Sequence, residues 1–281
     1  MKNIFLTSER NLRNGWWPAV FLVGIFLILF PALLLADKYS FELTVQIQAI
    51  IILAVTMICQ RFRSKSVFEV VGLPNSKWVS DFVSGSLIGA ALMIVPALLL
   101  AMFAGVNWEL KDVSWAVIGN GLYLFVFVAI AEELLFRGFL FQRLIQSVGY
   151  WPAQLIIGIL FLLTHMGNPG MNGTTLILAS ANIFLASIVF GMAYFRTKSL
   201  AMPIGMHLFA NFVQGPILGF GVSGQEQESL LKPLSPNLPE WLDGGKFGLE
   251  ATVLCFVVLV AIALCFQIFK NPEHTLDEVN K

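Results

Sequence analysis

Six polar side chains interrupt an otherwise strongly apolar sequence, and their types are those that move protons or stabilise charge. They are Glu132, Glu133, Arg137, His165, His207 and Asn211. A carboxylate can take a proton from water, and imidazole or amide groups can donate hydrogen bonds to a developing oxyanion. Charges in apolar surroundings are costly and are by default candidates for function. These six residues can form one site only if the fold brings their side chains close together.

Glu133 and Arg137 have the spacing of an ion pair along one helix, at positions i and i+4. We predict that this pair is structural. Glu132 points about 100° away from Glu133 around the same helix, so it has no partner on its own helix. An unpaired carboxylate in such a place is a stronger candidate for function than a paired one.

A helical hairpin is predicted to bring Glu132 to the level of His165. One helix is expected from about Ser114 to Ser147, followed by a turn at Val148-Gly149-Tyr150-Trp151-Pro152. Glu132 lies 17 residues before Gly149, and His165 lies 16 residues after it. Antiparallel helices that turn at this glycine place both side chains at nearly one depth.

His207 and Asn211 are four residues apart, so they share one face of another helix. A lone buried histidine is more often a packing residue than a ligand. Two histidines together with a carboxylate favour a site. The third histidine, His274, lies in a polar tail and is expected to be solvated.

The composition is that of an integral membrane protein. Hydrophobic residues make up 57% of the chain and charged residues 12%, and the mean hydropathy is +0.80. Soluble domains carry about 25% charged residues. The net charge of zero says nothing about a nucleic-acid partner, but no basic cluster with interleaved aromatics appears, so we expect none.

Eight charge-free runs are long enough to cross the bilayer, if the longest is divided at Gly167–Gly173. They predict an all-α, polytopic transmembrane bundle of about eight spans, formed by 14–36, 43–60, 82–106, 113–131, the two halves of 144–195, 199–225 and 251–269. Residues 221–247 join the last two spans and are rich in proline, so we expect no regular structure there.

Basic residues predict the orientation. With the N-terminus inside, 13 Lys and Arg residues fall on the cytoplasmic side and four on the other. Both termini are then cytoplasmic, and residues 1–281 form a single multi-pass domain of the cell membrane in contact with lipid. The first run has 23 uncharged residues, more than a cleaved signal peptide needs.

The motifs EExxxR at Glu132, FxxxH at Phe161 and HxxxN at His207, in this order, resemble those of the CAAX-protease and bacteriocin-processing family. Bacterial members are often grouped under the Abi name. The resemblance covers a core of residues 116–215. It implies an intramembrane endopeptidase that acts on a peptide or membrane protein, with or without a lipid group.

The resemblance also implies roles for individual residues. Glu132 matches the carboxylate that activates water, and three residues complete the catalytic site: His165, His207 and Asn211. Glu133 and Arg137 match supporting positions.

Whether a metal takes part is left open by the sequence. Glu132, His165 and His207 would form a His2Glu set, a common catalytic zinc arrangement. No HExxH helix is present. The family has been described both as metalloproteases and as metal-independent glutamic peptidases, and we favour metal-free hydrolysis slightly.

Two other functional interpretations of the sequence were considered. A non-hydrolytic membrane protein, either a transporter or a bacteriocin-immunity type of binding protein, would bind an ion or peptide with this polar cluster. No internal repeat supports a transporter. Gly221-Val222-Ser223-Gly224 matches the GxSG of rhomboid serine proteases, but only His274 follows it, so we predict a loop.

Overall fold

The computed structural model describes residues 4–6, 12–73 and 75–268. The chain is mostly helical, at 74%. His274 and the two chain ends, whose location the sequence predicted, lie outside the described residues.

The helices follow the predicted apolar runs. Eleven α-helices are described: α1 Trp17–Tyr39, α2 Val45–Phe62, α3 Val67–Val71, α4 Trp78–Ala104, α5 Trp115–Glu133, α6 Phe141–Val148, α7 Tyr150–His165, α8 Gly173–Thr197, α9 Ala201–Phe212, α10 Glu240–Asp243 and α11 Val253–Ile268. Within the described ranges, four helical stretches are long and apolar enough to cross a membrane. One consists of α1 and the short turn before it, and the others are α2, α4 and α8. Helices α7 and α11 are shorter and apolar.

Two short strands are an exception to the all-α prediction. Strand β1, Asn107–Leu110, pairs antiparallel with β2, Leu231–Leu234. The expectation that 221–247 lacks regular structure was wrong, since β2 and α10 both lie there. Pro233 is tolerated because a two-stranded sheet consists of edge strands, where a missing N–H need not break a ladder. The pairing holds two loops together at one end of the bundle.

The predicted single helix that ends near Ser147 is interrupted. After α5 the chain forms a π-helix over Leu134–Leu140, and Gly138 has non-helical torsions with ψ −127°. A π-helical turn shifts the following residues around the axis, and such turns often occur at functional sites. The predicted turn is confirmed, because α6 ends at Val148 and Gly149 has φ +87°.

Helices α4 and α9 pack closely against each other. Gly85 and Gly89 lie against the backbone of Met202 and Met206 in α9, where an added Cβ would overlap the carbonyl oxygens. Small residues four apart allow transmembrane helices to approach closely. The glycine pair therefore allows the close packing of α4 on α9.

Substitution of Gly89 is expected to destabilise the fold. In Gly89→Ala the methyl group meets backbone rather than a movable side chain, so the helices must separate, at a cost of about 1–3 kcal/mol. Thermal unfolding in detergent, followed by intrinsic fluorescence, measures the loss. Gly119→Ala is the matched control, because that position faces open space. Equal melting of both variants would contradict the packing role.

Candidate active site

A cavity of about 450 Å³ opens among the helices. Its wall contains residues of α2, α4, α5, α7, α8, α9 and α11. The four predicted catalytic residues all line it: Glu132, His165, His207 and Asn211. The hairpin prediction is thereby confirmed, since Glu132 and His165 come from its two arms and face one space. The shared face of His207 and Asn211 is confirmed as well.

Glu132 presents a carboxylate oxygen with no hydrogen-bond partner among the described residues. This atom, Oε2, lies 3.8 Å from Nε2 of His207, which is longer than a hydrogen bond. The side chain is 30% exposed. Oε2 is therefore buried and unpaired, while the Glu132 side chain as a whole is partly exposed in the cavity wall.

Glu133 faces the protein interior. Its Oε1 accepts hydrogen bonds from Nη1 of Arg137, at 3.1 Å, and from Nδ1 of His207, at 2.8 Å. Both Glu133 and Arg137 are fully buried. The predicted ion pair is confirmed, and the structure adds His207 as a second partner of the same oxygen.

Arg137 anchors this network to α8. Its Nη2 donates to Oγ of Ser187, at 2.9 Å, and to the Ser187 carbonyl, at 3.2 Å. The guanidinium lies 4.6 Å from the ring centre of Phe161 and 5.3 Å from that of Phe190. Aromatic faces attract a cation, most strongly where water is excluded. The arginine thus joins the EExxxR segment to α7 and α8, and Glu133 links this network to His207 in α9.

The hydrogen bond to Glu133 determines the tautomer of His207. A carboxylate that is paired with arginine only accepts hydrogen bonds, so Nδ1 of His207 carries the proton. Nε2 is then the atom directed at Glu132. A carboxylate behind a histidine orients the ring and raises its basicity. Glu133 therefore positions His207 in addition to neutralising Arg137.

His165 is oriented by its own helix. Its Nδ1 lies 2.8 Å from the carbonyl oxygen of Phe161, one turn earlier, and the carbonyl can only accept. Nδ1 therefore carries the proton, and Nε2 is left for the cavity. The FxxxH spacing thus supplies both the aromatic ring that packs on Arg137 and the carbonyl that orients His165.

The cavity contains a second carboxylate that the sequence prediction missed. Oε1 of Glu250 accepts hydrogen bonds from the backbone N–H of Ser223, from Oγ of Ser223 at 3.1 Å and from Nε2 of Gln214 at 3.3 Å. Burial raises the pKa of the Glu250 carboxyl, and the bonds from Ser223 act against this shift. Its one sequence signal is its place directly before the last charge-free run.

Asn182 fixes the backbone beside Glu250. Its Nδ2 donates to the carbonyls of Glu250, at 2.8 Å, and Thr252, at 2.9 Å. Ser223 lies in a turn closed by a bridge between Val222 and Gln225, so the prediction of a loop for the GxSG match is confirmed. The Ser223 hydroxyl donates a hydrogen bond to Glu250.

The three residues considered as metal ligands do not form a metal site in this structure. Among the described residues, no group of three His, Cys, Asp or Glu side chains is arranged to hold a metal ion. Glu132 approaches His207, but His165 does not complete a set with them. We therefore derive no step through a metal.

The comparison with known families matches the segment that carries the six predicted residues. Residues 113–213 match the Rce1-like family, described as type II CAAX prenyl endopeptidases. We call residues 113–213, which are similar to this family, the Rce1-like segment. The family resemblance found from the three motifs is thereby confirmed. No curated protein matches the chain.

The Rce1-like segment covers about a third of the chain and runs from the start of α5 through α9. The family that this segment resembles is described as prenyl endopeptidases, and the apolar helices agree with a membrane protein. Ser223 and Glu250 lie outside the segment, although both line the cavity.

Proposed function

We propose that the protein is an intramembrane endopeptidase that hydrolyses a peptide bond at or within the membrane. The observation that carries the proposal is the place of Glu132 in the cavity wall, where its side chain is 30% exposed and 3.8 Å from Nε2 of His207. A general base needs an unoccupied acceptor within reach of water. The Rce1-like match supports peptide hydrolysis as the reaction.

In the proposed mechanism, a water molecule in the cavity lies within hydrogen-bond distance of the Glu132 carboxylate, beside His207. Glu132 accepts one of its protons while the water oxygen attacks the carbonyl carbon of the substrate. The carbonyl becomes an oxyanion, to which the amide of Asn211 donates a hydrogen bond, as does Nε2 of His165 when its ring is protonated. Glu132 then returns its proton to the leaving amine, and the peptide bond breaks.

Glu133 and Arg137 support this reaction without touching the substrate. Glu133 holds His207 with Nε2 toward Glu132, and Arg137 pairs with Glu133. Catalytic side chains must stay close to the productive geometry for the reaction to be fast. Both residues are positioning residues in this proposal.

In this proposal, residues 1–281 form a single multi-pass domain of the cell membrane, and residues 116–215 are its protease core. Large apolar side chains on α1 are exposed, among them Leu27 at 64% and Leu34 at 56%. Contiguous exposed apolar surface of this kind is typical of contact with lipid. The substrate is a peptide or membrane-protein segment, with or without a lipid group.

We expect purified protein in detergent micelles to cleave reporter peptides, and to do so equally after treatment with EDTA. The reporters should include prenylated CaaX peptides and the same peptides without lipid. EDTA saturated with calcium is the control for effects of the chelator itself. A loss of activity that zinc restores would assign a metal to Glu132, His165 and His207 and contradict metal-free hydrolysis.

The same assay tests the reaction class. If folded wild-type protein cleaves no reporter over a range of pH and metal conditions, the non-hydrolytic interpretation is favoured. Cleavage that depends on the added protein, with two product fragments identified by mass spectrometry, supports the endopeptidase.

A further inference from the structure

We infer that Glu250 is a specificity-determining residue that selects substrates with a cationic side chain near the scissile bond. The inference rests on the proposed endopeptidase activity, because it assigns a substrate class to the same cavity. Glu250 lies outside the Rce1-like segment, so the family match does not assign it a role.

The charge of the cavity wall is the first argument. Among the described residues that line the cavity, two are carboxylates, Glu132 and Glu250, and none is Lys or Arg. Arg137 lies behind Phe161 and Phe190 and is paired with Glu133. A substrate cation would thus meet opposite charge that no lysine or arginine of the wall already neutralises.

The fixed orientation of Glu250 is the second argument. Three hydrogen bonds hold Oε1, while Oε2 makes none with a residue that the structure describes. Asn182 fixes the backbone carbonyl of the same residue. A carboxylate held in this way needs little reordering to bind a ligand, and preorganised groups bind more tightly than mobile ones.

The cost of burial is the third argument. A buried carboxylate is stabilised when a cation lies beside it. Burial raises the pKa of the Glu250 carboxyl although the hydrogen bonds from Ser223 and Gln214 and the attraction of His165 oppose this shift, so the charged form is not fully compensated. A lysine or arginine side chain of the substrate beside Oε2 would remove this deficit.

The same charges disfavour other peptides. A substrate that places an acidic side chain or its free C-terminal carboxylate beside Glu250 would meet like charge at short range. We therefore expect an internal, basic segment to be preferred over a C-terminal tripeptide whose carboxylate enters the cavity. The remaining polar wall consists largely of amides, which suit the peptide backbone: Gln48, Asn168, Asn182, Asn211, Gln225 and Gln227.

A set of reporter peptides tests the inference. Peptides that differ only in Lys, Gln or Glu at one scanned position are compared by kcat/KM. For wild-type protein we expect one position at which Lys exceeds Gln by about 10- to 100-fold, the range for a hydrogen bond to a charged group. In Glu250→Gln the ratio should fall toward one, and in Glu250→Lys the peptide with Glu should become preferred.

The ratio is the decisive quantity, because a uniform loss of activity does not change it. Glu228→Gln is the matched control, since it removes the same charge from an exposed residue of the neighbouring segment that does not line the cavity. The inference is overturned if wild-type protein shows no preference for Lys at any position, or if Glu250→Gln keeps the preference.

A binding measurement separates this inference from the proposed reaction. In protein with Glu132→Gln, fluorescein-labelled peptides are titrated with and without Glu250→Gln, and fluorescence anisotropy gives Kd. Tighter binding of the Lys peptide that depends on Glu250 supports the inference even if no peptide is cleaved, and then only the endopeptidase proposal fails. If peptides are cleaved but the Lys and Glu peptides have equal Kd, the inference about Glu250 is contradicted and the endopeptidase proposal is not.

Discussion

Glu132→Gln is expected to lower kcat for a cleaved reporter peptide by about 10²- to 10⁴-fold, the usual contribution of a general base. Glutamine has nearly the same shape as glutamate, but its amide cannot take a proton from water. The free Oε2 makes no hydrogen bond within the described residues. We therefore expect the melting temperature to stay close to that of the wild type while activity is lost.

Two further variants sharpen this test. Glu132→Asp keeps the carboxylate but withdraws it by one methylene, so part of the activity should remain. Glu228→Gln, on the surface, should leave kcat unchanged. Measured kcat and KM separate a lost base, which lowers kcat, from lost substrate binding, which raises KM. If Glu132→Gln retained full proteolysis, Glu132 would not be the base.

The parts of the site that the sequence predicted depend on distances along one helix or around one turn. The pair of Glu133 and Arg137 follows from the i and i+4 spacing. The shared depth of Glu132 and His165 follows from equal distances to Gly149. Local geometry of this kind is nearly independent of the rest of the fold, and for that reason these predictions were confirmed.

The parts that could not be predicted depend on contacts between distant segments. Glu250 enters the cavity because Ser223 and Gln214 hold its carboxylate and Asn182, 68 residues earlier, holds its backbone. No spacing rule connects these positions. Strand pairing between residues near Trp108 and Pro233 likewise depends on two loops that meet only in the folded bundle.

The π-helical turn was missed for a different reason. Residues 132–146 are mostly good helix formers, so local propensity predicts an uninterrupted helix. The π-helix at Leu134–Leu140 surrounds the fully buried Arg137, which also bonds Ser187 in α8. Gly138, the weak point of the helix in sequence, is where the backbone departs from helical torsions. A tertiary contact thus coincides with the break, and propensity alone does not show it.

Arg137→Met is expected to destabilise the fold by about 3–5 kcal/mol, the range for removal of one partner of a buried ion pair. Methionine fills a similar volume without charge, which leaves the carboxylate of Glu133 buried beside only His207. The hydroxyl of Ser187 also loses its partner. Thermal unfolding in detergent measures the loss, and Arg61→Met, at an exposed position, is the matched control.

A double substitution distinguishes the lost charge pair from lost packing. In Glu133→Gln with Arg137→Met no unpaired charge remains, so the loss should be smaller than the sum of the two single losses. Activity should stay low, because an amide oxygen is a weaker acceptor than a carboxylate and holds Nδ1 of His207 less firmly. If the losses simply added, the 3.1 Å contact between Glu133 and Arg137 would contribute little to stability. If instead the double variant recovered both stability and activity, Glu133 would not position His207. The hydrogen bonds among Glu133, Arg137 and His207 would then only stabilise the fold.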